Sequence, residues 1–123
     1  MKLRIYDDSI RLRLTQTEVA RIGKGLPVES VCRFPGGTAL TYTLIVVNAP
    51  AIDARLSGER IDVLLPRDRA TQWATSDEVS LRSERQNNRV LDILVEKDFA
   101  CREPRDADGT TDLYPNPNAQ PNV

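Results

Sequence analysis

Residues 9–18 read SIRLRLTQTE, and this stretch decides the predicted fold. Its first six residues alternate between polar and apolar side chains, which is typical of a strand with one buried face. Thr15 is followed three residues later by Glu18, and this spacing forms the capping box that begins many helices. The stretch therefore predicts a strand that leads directly into a helix.

The same order of patterns recurs about fifty residues later. Residues 9–47 predict a strand, a capped helix and two further strands, and residues 59–95 predict the same series. In the second series the strand IDVLL (residues 61–65) leads to Pro66, which suits the first turn of a helix. Residues 48–58 link the two series. The recurrence predicts an internal duplication of a strand-helix-strand-strand unit.

Residues 2–6 alternate in the same way, and Asp7-Asp8 separates them from the strand that starts at Ser9, so they predict a β-hairpin. The apolar run at residues 44–47 predicts a central strand. The predicted fold class is α+β: one strongly curved or closed antiparallel sheet of about seven strands, a β-barrel if closed, with two short helices. Further strands are predicted at residues 28–34, 38–47, 78–85 and 89–99.

The predicted core consists of apolar residues that share a face by strand or helix periodicity. A chain of 123 residues with 40% hydrophobic residues suits a single domain, which we assign to residues 1–103. Residues 104–123 are rich in Pro, Asp and Asn and predict an extended or disordered tail. The predicted core residues are Leu3, Ile5, Ile10, Leu12, Leu14, Val19, Ile22, Leu44, Val46, Val63, Leu65, Trp73, Leu81, Leu91, Ile93 and Val95.

Composition excludes several classes of function. The net charge of -1 predicts no nucleic-acid partner, and the lack of a long apolar run or an apolar N-terminal segment predicts a cytoplasmic protein without membrane contact. The chain contains no histidine, which excludes Ser-His and Cys-His catalysis and histidine-containing zinc sites within it. Cys32 and Cys101 are predicted to be unbridged thiols. We predict no metal and no cofactor.

Charged residues on two predicted strand faces form the one candidate site. Lys2, Arg4, Arg11 and Arg13 share a face of the first hairpin, and Glu96 and Asp98 share a face of the last strand. If the sheet encloses a lumen, the candidate ligand-binding residues resemble those of tunnel enzymes that bind polyphosphate and a divalent metal. If the sheet is open, the same residues form cross-strand salt bridges on a solvated face. The candidate residues are Arg4, Arg11, Arg13, Glu96 and Asp98.

Several motifs resemble those of a family of small bacterial proteins that is described only as a domain of unknown function. The motifs are KLRI (residues 2–5), SIRLRLTQ (9–16), LTY (40–42), LVEKDFAC (94–101) and PNP (115–117). The resemblance spans most of the chain and implies a bacterial cytosolic protein. It supplies neither an activity nor catalytic residues.

Function is therefore predicted only by class. The favoured hypothesis is a non-enzymatic binding or assembly module that uses an unknown protein partner or forms a homodimer. The alternative is a metal-dependent phosphate- or polyphosphate-binding tunnel-type enzyme or ligand binder. The two hypotheses differ in whether the five candidate residues converge on an interior cavity or point into solvent.

Overall fold

A computed structural model describes residues 1–83 and 90–98 of the chain. This part forms eight strands and two α-helices, with a short 3-10 turn at Pro35–Gly37 between β3 and β4. The strands are β1 (Lys2–Tyr6), β2 (Ser9–Leu14), β3 (Val28–Arg33), β4 (Ala39–Val47), β5 (Asp53–Ser57), β6 (Arg60–Pro66), β7 (Ser80–Arg82) and β8 (Asp92–Lys97); the helices are α1 (Gln16–Gly23) and α2 (Arg67–Ala74).

The strands form two open four-stranded sheets. Sheet A has the order β1-β2-β8-β7, and sheet B has the order β3-β4-β6-β5. In each sheet the outer pairs are antiparallel, whereas the two central strands run parallel. The prediction of one curved or closed antiparallel sheet of about seven strands was therefore wrong. Period-2 alternation identifies the buried face of a strand but is the same for parallel and antiparallel neighbours, so it does not determine sheet membership.

The first hairpin is confirmed. Leu3 lies opposite Leu12 in the antiparallel register of β1 and β2, and Tyr6 lies opposite Ser9. The two-residue turn places Asp7 in the left-handed region at φ 49°. Aspartate tolerates this conformation better than most residues, and short hairpin turns require it.

Strand β5 was missed, because residues 48–58 were predicted to be a link. It pairs with β6 through a turn at Gly58, where φ is 59°. Its only large apolar side chain, Leu56, is 76% exposed, so the strand carries almost no alternating signal. With β5 included, each half of the chain has the order hairpin, helix, hairpin. The internal duplication itself stays a prediction.

Helix α1 begins at the predicted capping box. The Glu18 backbone N–H donates to Thr15 Oγ1 at 3.3 Å, and the Thr15 backbone N–H donates to Glu18 Oε1 at 2.9 Å. Partial burial raises the pKa of Glu18, but the Met1 ammonium at 2.6 Å and the bonds from Thr15 outweigh it and hold that pKa below its ordinary value. The helix ends before Gly25, whose φ of 79° is left-handed.

Replacement of Thr15 by alanine is expected to lower the free energy of unfolding by about 1 kcal/mol, because it leaves a backbone donor of the first turn without its acceptor. Urea denaturation followed by circular dichroism measures this loss. Thr17→Ala is the control, since Thr17 is an exposed residue of the same helix and is not its cap. An unchanged midpoint for Thr15→Ala would contradict the assigned cap.

Helix α2 differs slightly from its prediction. Pro66 is the last residue of β6 and the N-cap of α2, so it precedes the first helical residue. Ala70 and Trp73 form the buried side of the helix. The two helices pack against each other where Gly23 approaches Ala74, because a Cβ atom built on Gly23 would lie 3.0 Å from the Ala74 Cβ.

One core joins a face of each sheet to both helices. Most predicted core residues are buried, but Ile5 is 56% exposed, and Leu3 and Leu91 are only partly buried at the core's margin. Strand phase is correct for Ile5, because its cross-strand partner Ile10 is buried, but Ile5 lies on the edge strand β1 close to the hairpin turn. The buried residues confirmed from the predicted set are Ile10, Leu12, Leu14, Val19, Ile22, Leu44, Val46, Val63, Leu65, Trp73, Leu81, Ile93 and Val95; those missed are Val28, Ile52, Ile61, Leu64 and Ala70.

Some predictions concern residues outside the described ranges. The predicted tail at residues 104–123 and the domain boundary at residue 103 lie there. Cys32 is an exposed thiol on β3. Cys101 lies outside the described residues, so the absence of a bridge between the two cysteines stays a prediction.

Candidate functional site

The side of sheet A that faces away from the core carries a dense group of charges, which we call the charged face. Its residues come together through the strand register: Lys2 lies opposite Arg13, and Arg13 lies opposite Glu96. Cross-strand partners point to the same side of a sheet, so the register places these side chains side by side. The charged face comprises Lys2 and Arg4 on β1, Arg11 and Arg13 on β2, Arg82 on β7, and Glu96 on β8.

At the centre of this face, one carboxylate is paired with two arginines. Arg13 Nε donates to Glu96 Oε1 at 2.8 Å, and Arg11 Nε lies 3.7 Å from the same oxygen. The Glu96 side chain is only 16% exposed. At the margin, Lys2 Nζ lies 3.3 Å from Asp98 Oδ2. The predicted meeting of basic and acidic strand faces is thus present in the structure.

Like charges lie directly opposite each other twice in the first hairpin. Lys2 is the cross-strand partner of Arg13, and Arg4 is the cross-strand partner of Arg11. Such pairs destabilise a sheet, because the side chains of opposite residues start only about 5 Å apart. Arg4 and Arg11 belong to a row of cross-strand neighbours that continues through Leu94 to Arg82, because Leu94 lies opposite both Arg11 and Arg82. The arrangement concentrates positive charge on one side of sheet A.

A depression of about 370 Å³ lies on this face. Its volume falls within the range of small-molecule sites, and it is open to solvent on one side of the sheet. Guanidinium groups present parallel N–H donors that match the oxygen atoms of phosphate and carboxylate groups. The depression therefore has the volume and the positive charge for a small anion. Its lining residues are Lys2, Leu3, Arg4, Arg11 and Arg13.

The corresponding face of sheet B is organised differently. Arg55 on β5 lies opposite Asp62 on β6, so the cross-strand partners there have opposite charges. Arg60 Nε lies 2.9 Å from Asp62 Oδ1, and Thr43 Oγ1 donates to the same oxygen at 2.6 Å. The hydrogen bond from Thr43 lowers the pKa of Asp62 below its ordinary value; partial burial opposes this shift, and Arg60 adds to it. This face has the charge pairing expected of a purely structural sheet surface.

The structure brings the predicted site residues together on the outer side of an open sheet, and none of them lies in a lumen. Arg4, Arg11, Arg13 and Glu96 are neighbours, and Asp98 contacts the margin. Arg82 was missed as a member of the site. The alternation Ser80-Leu81-Arg82 indicates its face, but the pairing of β7 with β8 is needed to place it beside Leu94.

A larger depression, of about 780 Å³, lies at the start of α1. Lys97 and Asp98 line it together with Thr15 and Val19. Lys97 Nζ donates to the Ser76 carbonyl at 2.8 Å and lies 5.6 Å from the centre of the Trp73 ring, so its ammonium group is used within the fold. This depression has an apolar floor and fewer converging charges than the charged face.

Within residues 1–83 and 90–98, no three His, Cys, Asp or Glu side chains are grouped so that they could hold a metal ion. In the same ranges, no helix has both the length and the apolar character needed to cross a membrane.

Comparison with known proteins identifies a family without an assigned activity. A family model described as "Family of unknown function (DUF7009)" matches residues 1–118. This match confirms the resemblance to a family of unknown function. No curated protein and no solved structure matches the chain.

Proposed function

The chain belongs to this family of unknown function, and from the charged face we propose that it is a non-enzymatic binding module that binds a phosphate-bearing anion. The observation that carries the proposal is the presence of two like-charged cross-strand pairs, Lys2 with Arg13 and Arg4 with Arg11. A bound polyanion turns this repulsion into attraction, because it places negative charge among the four cations.

The surrounding charges support the same proposal. The charged face as defined comprises five cations and one carboxylate, Glu96, which accepts from Arg13 at 2.8 Å and lies 3.7 Å from Arg11 Nε. The open position on the outer side of the sheet suits a ligand that binds from solvent. The proposal assigns no metal-dependent step to this face.

A correspondence between the halves of the chain supports an internal duplication and supplies a matched control. Asp7 and Gly58 both have positive φ in hairpin turns, and Thr15 and Pro66 are both helix N-caps, 51 residues apart in each case. Arg4 and Arg55 correspond at the same spacing. Arg4 lies opposite Arg11, whereas Arg55 lies opposite Asp62. Arg4 and Arg55 therefore occupy corresponding positions, but only Arg4 has a like-charged cross-strand partner.

The proposal is tested with Arg4→Glu and Arg55→Glu, by isothermal titration with tripolyphosphate at 150 mM salt without divalent metal. Arg4→Glu is expected to weaken binding by at least about tenfold, because a charge-assisted hydrogen bond of roughly 1.5–3 kcal/mol is lost. The new carboxylate faces Arg11, so an attractive cross-strand pair replaces a repulsive one.

Arg55→Glu is expected to show the opposite pattern. The new carboxylate faces Asp62, which lowers stability by a few tenths of a kcal/mol, and the charged face on sheet A is untouched. Tripolyphosphate affinity should then equal that of the wild type. No saturable binding to the wild-type protein, or equal losses of affinity in both variants, would refute an anion site on the charged face.

A further inference from the structure

An aromatic side chain stands beside the arginines of the charged face. Tyr6 ends β1 and shares a side of the strand with Arg4, by alternation. It is 72% exposed. Two residues along a strand span about 6.7 Å, so the Tyr6 ring starts one row away from the guanidinium groups. A solvent-exposed ring next to an anion site is a surface on which a planar group can stack.

The row that contains Tyr6 continues with hydrogen-bond acceptors. Ser9 lies opposite Tyr6, and Asp92 lies opposite Ser9 on the next strand. The Ser9 hydroxyl already donates to the Tyr6 carbonyl at 2.8 Å, so toward a ligand it accepts. The Asp92 carboxylate also accepts. The ligand group above this row must therefore carry donors, such as sugar hydroxyls or a base amino group.

We propose that the anion bound by the charged face is a nucleoside phosphate. Its phosphates lie on Arg4 and Arg11, its base stacks on Tyr6, and its donors face Asp92. This inference rests on the proposed function and adds the part of the ligand beyond the phosphates. Inorganic polyphosphate would use the arginine rows and leave the aromatic row without a role.

The test compares ATP with tripolyphosphate by isothermal titration at 150 mM salt with EDTA. Tripolyphosphate carries at least as much negative charge as ATP, so a preference for ATP cannot come from the phosphates alone. Base stacking on an aromatic side chain contributes roughly 1–3 kcal/mol, and we expect ATP to bind about tenfold more tightly than tripolyphosphate.

Tyr6→Leu separates stacking from charge. It is expected to lower ATP affinity about tenfold and to leave tripolyphosphate affinity unchanged. Phe34→Leu is the matched control and should leave both affinities unchanged. Phe34 is also a solvent-exposed aromatic residue, but it lies directly after β3 of sheet B.

The outcomes distinguish this inference from the proposed function. Equal affinities of wild-type protein for ATP and tripolyphosphate, both weakened by Arg4→Glu, would overturn recognition of the base and retain the anion site. A preference for ATP that survives Tyr6→Leu would overturn stacking on Tyr6. Failure of both ligands to bind would overturn the proposed function and this inference together.

Discussion

Replacement of Trp73 by alanine is expected to lower the free energy of unfolding by about 3–5 kcal/mol, which is the usual cost of deleting a large buried aromatic side chain. Trp73 is fully buried where α2 meets the core. Its Nε1–H donates to the Val79 carbonyl at 3.1 Å, and Lys97 lies over its ring. The substitution leaves a cavity and also removes both of these contacts.

Urea denaturation followed by far-UV circular dichroism measures this loss, because Trp73 is the only tryptophan and the variant has no tryptophan fluorescence. Trp73→Phe is the matched control. It keeps an aromatic ring but removes the hydrogen bond to Val79, so a smaller loss is expected. A free energy of unfolding within about 1 kcal/mol of the wild type for Trp73→Ala would contradict the burial of this side chain.

Replacement of Gly23 by valine is expected to destabilise the protein by about 1–3 kcal/mol, the usual cost of overpacking a tight contact. A Cβ atom built on Gly23 would lie 3.0 Å from the Ala74 Cβ, so even one added carbon requires this neighbour to give way slightly, and valine adds two more carbons. Valine has a better helix propensity than glycine. Any loss of stability therefore arises from the contact between the helices.

Denaturation midpoints of a double variant test this explanation. Ala74→Gly removes the neighbouring methyl group, so Gly23→Val combined with Ala74→Gly should be less destabilised than the sum of the two single changes. Ala20→Val, at an exposed position of the same helix, measures the effect of a β-branched residue alone. Additive losses would show that the helix contact at residues 23 and 74 is not the cause.

The charged face shows how far a site can be predicted from local patterns. Alternation in β1 and β2 predicted that Arg4, Arg11 and Arg13 share a side, because successive side chains of a strand point to opposite faces. It did not predict that Arg4 lies directly opposite Arg11 or that Glu96 accepts from Arg13. Those facts depend on register, and register between strands distant in sequence is set by the packing of the whole core.

The sequence by itself determined the local elements whose causes are local. Asp7 and Asp8 form the turn between β1 and β2. The Thr15 and Glu18 side chains accept hydrogen bonds from backbone groups at the first turn of α1. Apolar periodicity identified the buried sides of β2, β4, β8 and both helices, because only those sides can leave water together.

Only the tertiary structure decided how the strands are shared between the sheets. β2 pairs with β8 in parallel, and β4 pairs with β6 in parallel, so each sheet joins a hairpin of one half to a hairpin of the other. No short-range pattern encodes this choice, because the contacts that favour it arise only when both helices and both sheets bury one common core. The position of Arg82 on the charged face follows from that pairing and from nothing nearer in the sequence.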